Sequence, residues 1–411
     1  MLPEGWKLVR LGDVAQISSG GTPERTQPAY WNGHIPWVTT GEIQFNTITD
    51  TAEKITAAGL KHSAAKLYPA GTLLMAMYGQ GKTRGQVAKL QIEACTNQAC
   101  AAIQLAAHCD LEYVYQALAS HYDAIRMLGN AGSQQNLSTT AIKDIRFPLA
   151  PLTEQQRIAA LARTWDAAIA TTEKLLANSR RQKQDLMQGL LTGHRCFGVA
   201  STSWRQFELD QLFERITRKN ADGIGNVLTI SGQLGLISQR DYFSRVVASA
   251  DLSGYTQLST GDFAYNKSSS AGYPMGAIKP LVAYDAGVVS SLYICFRIRK
   301  GAAADLAFFS HYFDAGMLNE EITGIAQEGA RSHGLLNVSV KDFFKLKLRV
   351  PPLKDQRRIA AVLDVAQQEI LCTERQLEHL RCEKRALMGE LLSGRRRLPG
   401  PAPQHLPEPS A

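Results

Sequence analysis

A block of 43 residues occurs twice in this 411-residue chain, 201 positions apart, with no gap in the alignment. Pro151–Gly193 opens P-L-T-E-Q-Q-R-I-A-A-L and closes L-M-Q-G-L-L-T-G; Pro352–Gly394 opens P-L-K-D-Q-R-R-I-A-A-V and closes L-M-G-E-L-L-S-G. Eighteen of the 43 positions are identical. A repeat of that length, kept in register, is an internal duplication, and it restricts the fold to architectures that use one unit twice.

The repeated block reads as helix. From Glu154 to Leu191 there is no proline, and the first glycine is Gly189. Ile158, Leu161, Trp165, Ala168, Thr172, Leu175, Ser179, Gln182 and Leu186 recur in steps of three and four. Ile359, Val362, Ala366, Ile370, Thr373, Leu377, Leu380, Leu387 and Leu391 nearly repeat that stripe. This spacing predicts the seam of a coiled coil or a long helical hairpin. Pro151 and Pro352 precede the helices, and Gly193 and Gly394 end them. Thr153 with Gln156 offers a capping box in the first, and Asp355 offers the cap in the second. Each helix of about 38 residues spans roughly 57 Å. Two matching seams in one chain predict antiparallel pairing, with a globular domain at each end.

The segments between the helices also echo one another. Gly5–Val14 opens the first as Trp204–Leu212 opens the second, Gly71–Tyr78 answers Gly261–Asn266, and Ile142–Asp144 answers Val340–Asp342. The offset drifts between these anchors, as it does when cores persist and loops diverge. Short apolar runs at Ile35–Thr40, Leu73–Tyr78, Ala101–Leu105, Val227–Ile230 and Val288–Arg297 predict strands. Helices are expected near Leu111–Leu128 and Leu306–Ile322. The fold class is α+β: two similar mixed domains (1–152 and 198–352), spacer helices (153–197 and 353–397) and a Pro-rich tail (398–411) expected to be disordered.

Composition narrows the functional classes. No apolar run is long enough to cross a bilayer, and Met1–Arg10 lacks the apolar core of a signal peptide, so a cytoplasmic location is the expectation. The seven cysteines form no C-x-x-C pair and there is no H-E-x-x-H, so no metal site is expected and the thiols should be reduced and mostly buried. The net charge of +8 is spread along the chain. Residues 1–152 carry +1, 199–352 carry +2, and 153–198 and 353–398 carry +3 each, too even to identify a nucleic-acid surface unaided.

Catalytic motifs are missing. Tyr78-Gly79-Gln80-Gly81-Lys82-Thr83 looks like a phosphate-binding loop, but Ala76 stands where the first glycine belongs. The following Arg84–Leu90 reads as a returning strand, without the helix N-terminus that such a cradle uses. A glycine-rich hairpin is the better description. Neither a nucleophile elbow nor a methyltransferase or nuclease loop is present, so catalytic residues are none. A nucleotide-binding enzyme built on Gly79–Thr83 and a coiled-coil scaffold without DNA binding are the alternative readings.

Gly20-Gly21-Thr22-Pro23, the run Y-W-N-G-H-I-P-W at Tyr30–Trp37, Thr96-Asn97-Gln98-Ala99 and the P-L-T-E-Q-Q-R-I-A segment resemble the specificity subunit of type I restriction–modification systems. In the second half Gly261–Lys267, Ser290–Ile294, Asn337–Asp342 and Pro352–Ala360 carry the resemblance. The Y-W-N-G run is absent there, which implies a recognition domain of another subtype. The resemblance implies a non-catalytic subunit whose two target-recognition domains each read half of a bipartite, asymmetric site in double-stranded DNA. It implies two methyltransferase subunits and two restriction/translocase subunits as partners. These would use S-adenosylmethionine, ATP and Mg²⁺, none of them bound by this chain.

Loop residues with suitable donors and acceptors are the candidate readers. They are Gln80, Lys82, Thr83, Arg84, Asn97, Gln134 and Gln135 in the first domain, and Asn266, Lys267, Ser268, Ser269, Arg331 and His333 in the second. Trp31, Trp37 and Trp204 are expected as core anchors, not base-stacking groups.

Overall fold

The computed structural model describes residues 2–79, 81–128, 136–196, 204–232, 234–243, 249, 251–328, 334 and 336–399. Gln80, Gln134, Gln135, Arg331, His333 and tail residues 400–411 lie outside the described residues. The chain forms two compact units, residues 1–173 with 375–411 (unit 1) and residues 174–374 (unit 2).

Unit 1 contains strands β1 (Lys7–Arg10), β2 (Ala15–Ser19), β3 (Trp31–Val38), β4 (Thr47–Ile48), β5 (Glu53–Ile55) and β6 (Leu67–Tyr68). Strands β7 (Leu73–Ala76), β8 (Val87–Leu90), β9 (Ala94–Thr96), β10 (Cys100–Leu105) and β11 (Arg146–Leu149) follow. They form a five-stranded sheet ordered β2-β10-β7-β8-β4, a second sheet β5-β3-β9-β6 and the pair β1-β11. The helices are α1 (Leu11–Val14), α2 (Ala57–Lys61), α3 (Leu111–Ser120), α4 (Tyr122–Met127), α5 (Thr139–Lys143) and the long α6 (Leu152–Leu191), whose residues from Lys174 on belong to unit 2. Strand β7 is apolar throughout because both of its faces are covered. Leu73 and Met75 join one core with Tyr113, Phe147 and Ile158, while Leu74 and Ala76 join another with Val38, Tyr68 and Ala88.

Unit 2 contains β12 (Arg205–Glu208), β13 (Phe213–Arg215), β14 (Leu228–Ser231), β15 (Gly235–Ser238), β16 (Thr256–Ser259) and β17 (Phe263–Asn266). Next come β18 (Ala277–Pro280), β19 (Ala286–Val289), β20 (Ile294–Ile298), β21 (Gln327–Glu328), β22 (Leu336–Asn337) and β23 (Lys347–Val350). Its helices are α7 (Leu209–Leu212), α8 (Gln239–Tyr242), α9 (Leu306–Asp314), α10 (Asn319–Ile325), α11 (Val340–Phe343) and the long α12 (Leu353–Leu392), whose residues from Arg375 on belong to unit 1. The sheet order β13-β20-β17-β18 repeats β2-β10-β7-β8, and the pair β12-β23 repeats β1-β11. The duplication therefore extends to the sheets, and the two units are similar mixed α/β bodies. In β17, too, Phe263 and Tyr265 face one core and Ala264 the other.

Both long helices contribute to both units. In unit 1, Ile158 and Ala162 near the start of α6 share a core with Met388, Leu391 and Leu392 near the end of α12. In unit 2, Ile359 and Leu363 near the start of α12 share a core with Leu190 and Leu191 near the end of α6. The helices run antiparallel in each. Unit 1 has Lys384 on Asp166 and Arg381 on Glu173, both at 2.6 Å, and unit 2 has Lys183 on Gln367 and Arg180 on Glu374, also at 2.6 Å. Gly193 (φ 79°) and Gly394 (φ 74°) terminate the helices in the left-handed conformation that glycine accepts without strain.

The repeated Pro-Leu-x-x-Gln has a structural purpose. The buried Gln155 accepts from Asp110 N–H (2.8 Å) and donates to the carbonyls of Ala150 (2.8 Å) and His108 (3.2 Å). Gln356 accepts from Asp305 N–H and donates to Pro351 and Ala303, each bond 2.9 Å. In each unit one buried amide thereby ties the helix start to the loop that caps the domain helix. Asp110 then accepts from Tyr113 N–H, and Asp305 from Phe308 N–H.

The structure corrects several expectations. The seam of α6 passes through Leu176 (8% exposed), whereas Leu175 is 49% exposed. Likewise Ala162 and Leu363 are more deeply buried than Leu161 and Val362. Adjacent apolar residues had concealed the phase. Thr153 is not a cap, because the helix begins at Leu152 and Pro151 O already accepts from Glu154 and Gln155 N–H. In α12, Pro352 O does the same for Asp355 and Gln356, placing Asp355 inside the first turn. The run Leu111–Leu128 breaks at His121, whose ring and the Ser120 hydroxyl both bond Ala117 O. The run Leu306–Ile322 breaks around Gly316 (φ 70°), and Val288–Arg297 divides between β19 and β20, which lie in different sheets. All seven cysteines are free, but Cys196, Cys372 and Cys382 are exposed.

Candidate nucleic-acid interface

Strand pairing gathers the sequence-predicted loops of unit 1 at one end of the five-stranded sheet. Strands β7 and β8 are antiparallel (Met75 opposite Val87), so residues 77–86 form the hairpin connection between them. Cys100 starts β10 opposite Ala76, which sets residues 97–99 beside that connection, and Met77 N–H bonds Ala99 O at 2.9 Å. Ser19 ends β2 opposite Ala101, adding the Gly20–Pro23 turn. Leu137 N–H bonds Met77 O (2.9 Å), bringing that residue to the same end. The turn is tight: a Cβ on Gly20 would lie 2.0 Å from Thr96 O, and one on Gly21 would lie 2.3 Å from Ala64 C. No L side chain fits there.

The predicted readers separate into displayed and supporting groups. Lys82 is exposed, Thr83 is half-buried, and Gln98, which was not foreseen, is exposed and bonded to Thr22. Asn97 instead holds the turn: its N–H donates to Val38 O (3.0 Å), and its Oδ1 accepts from Ala99 N–H (3.1 Å). Arg84 is only 7% exposed, and Nη2 donates to Arg126 O at 3.1 Å, so it braces the loop from beneath and is not a displayed tip. Helix α4 completes the brace. Tyr122 Oη donates to Lys82 O, Arg126 Nη2 donates to Gly81 O, and the Arg126 guanidinium lies over the Tyr122 ring. These partners stand about 40 residues from the loop, and no local sequence signal marks them. The connection leads into β8 and not into a helix, so Gly79–Thr83 has no helix N-terminus behind it to stabilise a phosphate.

Unit 2 builds the same sheet end with different residues. Asn266 closes β17, and its Oδ1 accepts from Ser268 N–H at 3.1 Å. Leu336 N–H bonds Lys267 O (3.0 Å) as Leu137 N–H bonds Met77 O, and Ser269 N–H bonds Gly334 O (2.7 Å). Asn266, Lys267 and Ser268 are half-buried, and Ser269 is exposed. Ile294 opens β20 opposite Tyr265, bringing Ser290–Tyr293 to the same end.

Behind each hairpin a lysine at the same strand position is ion-paired within the unit. Lys89 of β8 bonds Glu112 at 2.7 Å and lies 4.5 Å over Tyr115. Gln116 continues the chain to Glu112 and to Asp166 of α6. Lys279 of β18, 190 residues on, pairs with Asp314 and lies 4.9 Å from the Tyr273 ring. Burial opposes ionisation of Asp314, but the Lys279 ammonium outweighs it and holds the carboxyl below the usual range. Such pairs fix geometry more than they add stability.

Among the described residues no group of three His, Cys, Asp or Glu could hold a metal ion. Burial pushes the Cys95 thiol up to about 11 and Cys295 up to about 12, so neither is a nucleophile near neutral pH. Trp37 is buried (1% exposed), with Nε1 donating to Gly21 O, and Trp31 packs edge-on against it at 5.1 Å. Trp204 is half-buried against Gly193. No described helix is long and apolar enough to cross a membrane.

Comparison with known proteins gives a consistent set of likenesses. The model of the type I restriction modification DNA specificity domain matches residues 3–178. The type I restriction enzyme MjaIX specificity subunit of Methanocaldococcus jannaschii is 24% identical over 178 residues, covering 42% of this chain and 40% of the relative. The EcoR124I/EcoR124II specificity subunit of Escherichia coli is 25% identical over 167 residues, covering 39% of this chain and 40% of the relative. These alignments span only two fifths of the relatives' own length. Among solved structures, the type I restriction–modification S subunit from M. genitalium superposes with a TM-score of 0.57 at 14% identity, covering 95% of this chain and 96% of that one. A chain from a study of complex assembly and conformational transition of the type I R-M system gives 0.59 at 18%, covering 96% and 99%. At such identities the structural likeness is one of fold.

Proposed function

Because residues 3–178 match the type I restriction modification DNA specificity domain and resemble type I specificity subunits, we propose that the chain is such a subunit and reads a bipartite, asymmetric site in double-stranded DNA. In this reading each unit recognises one half-site with the loops at the end of its sheet, and α6 and α12 set the distance between the half-sites. The observation that carries it is the repeated sheet order with unlike loop chemistry: Lys82, Thr83 and Gln98 on one frame, Lys267, Ser268 and Ser269 on the other. A common frame with different displayed groups suits two half-sites of different sequence.

The chain itself performs no chemistry in this reading. Two methyltransferase subunits dock against the paired helices and neighbouring surface, and two restriction/translocase subunits join them. S-adenosylmethionine, ATP and Mg²⁺ serve those partners. The domain segments 1–152, 153–197, 198–352 and 353–397 serve respectively as reader, spacer, reader and spacer.

Binding of the chain, assembled with its methyltransferase partner, to methylation-mapped and scrambled duplexes over a salt series tests the reading. Lys82→Ala is expected to lower affinity and, if the lysine meets phosphate, to reduce the salt slope by about one. Equal binding of mapped and scrambled DNA overturns the reading.

A further inference from the structure

One residue at the reading end of unit 1 stands in a conformation that its type rarely adopts. Phe45 has φ 54°, in the left-handed region that disfavours a bulky side chain. The loop around it enforces this: Gln44 N–H bonds Asn46 Oδ1 (3.0 Å), Gln44 Nε2 bonds Gly41 O (2.6 Å), and Lys89 N–H bonds Asn46 O (2.9 Å). Strained backbone that its surroundings over-determine concentrates at functional positions.

The conformation displays the ring. Phe45 is 36% exposed and edge-on to Tyr122 (5.1 Å, 84°), the residue that braces the Lys82 carbonyl. Strand β4 runs parallel to β8, so the segment before Thr47 emerges at the hairpin end of the sheet. Tyr78 (41%) and Met127 (68%) expose further apolar surface on the hairpin and on α4. Strain and exposure are unfavourable for folding together, so stability does not account for a phenylalanine here. An exposed apolar ring packed on Tyr122, the residue that braces the hairpin carrying the exposed Lys82, matches the composition of side chains that enter between base steps while cations nearby in the chain hold the backbone. Among the described residues, the repeated sheet of unit 2 has no strand in the place of β4.

Building on the DNA-reading function above, we infer that Phe45 is an apolar wedge that enters one base step of the half-site read by unit 1, held in its aim by Tyr122.

The test uses the full chain with its methyltransferase partner and duplexes carrying the methylation-mapped site, with 2-aminopurine placed at each position in turn. The wild-type complex should raise fluorescence several-fold at one step of one half-site. Phe45→Ala should remove that rise and weaken binding about tenfold or more, the usual loss for a base-stacking side chain. Phe45→Asn, which accepts the left-handed backbone, should keep the fold and lose the signal equally, while Phe45→Leu should retain much of it. Unchanged fluorescence and affinity in both the Ala and Asn variants, or no rise at any step in the wild type, overturns the wedge while the DNA-reading function stands. If the wild type fails to distinguish mapped from scrambled duplex, both fall together.

Discussion

Arg381 donates to Glu173 at 2.6 Å, and Arg180, 201 residues before that arginine, donates to Glu374, 201 residues after that glutamate, at the same 2.6 Å. Each bond lies within its own unit. The same exchange relates Lys384–Asp166 to Lys183–Gln367, both at 2.6 Å. Two antiparallel helices of related sequence give such reciprocal pairs only when matching positions meet. All four partners in the arginine pairs are more than a third exposed, so each pair adds no more than about 1 kcal/mol. Their effect is on register. The stability comes from the apolar ends of the helices, each buried in a unit that the other helix begins.

That exchange ties the core of unit 1 to a residue distant in sequence. Leu391 is fully buried in the core of unit 1, and Leu391→Ala should cost about 2–5 kcal/mol. Hydrogen exchange on the full chain should accelerate in peptides from residues 1–150 and much less in 205–350. Leu191→Ala should show the reverse. Equal loss in both regions from either variant would contradict this division of the cores.

The buried amides give a second expectation. Gln155→Ala would leave Asp110 N–H and the carbonyls of Ala150 and His108 without their partner, costing about 1–3 kcal/mol, and Gln356→Ala should cost a similar amount. Denaturant unfolding measures both. A Glu replacement should not rescue either, since it lacks the donor that both carbonyls require.

Acid should weaken unit 2 through His311. The residue is buried (8% exposed), and Nε2 lies 2.7 Å from Asp364 Oδ1. Burial pulls its pKa below 6.5, with the Lys183 charge adding to the depression and Asp364 and Asp314 opposing it. A depressed histidine takes up its proton more readily in the unfolded chain. Its contribution is therefore fully present above 6.5 and is lost as the pH falls through the folded value. His311→Gln should flatten the decline in melting temperature between pH 7 and about 5. An identical decline in the variant would remove His311 as the cause.

Much of this architecture is legible in the sequence because the repeat states it twice. The doubled Pro-Leu-x-x-Gln block, the glycines at 193 and 394, and the anchors at Gly71 and Gly261 locate both helices and equivalent strands of both sheets. Periodicity alone could not choose between Leu175 and Leu176, since both are leucine and only packing decides. Nor could it show that Arg84 lies beneath its loop or that Phe45 packs edge-on against Tyr122. Those placements depend on Tyr122 and Arg126, which only the folded chain brings to the hairpin.

Methylation mapping of DNA from cells carrying this chain and its methyltransferase partner tests the central claim most directly, with wild type compared against a variant carrying four extra residues after Ala170 and four after Leu371. The wild type should yield two short defined half-sites separated by a fixed run of unspecified bases. The variant should keep both half-sites and change that separation. A single continuous motif, or an unchanged separation with the lengthened helices, would contradict the account.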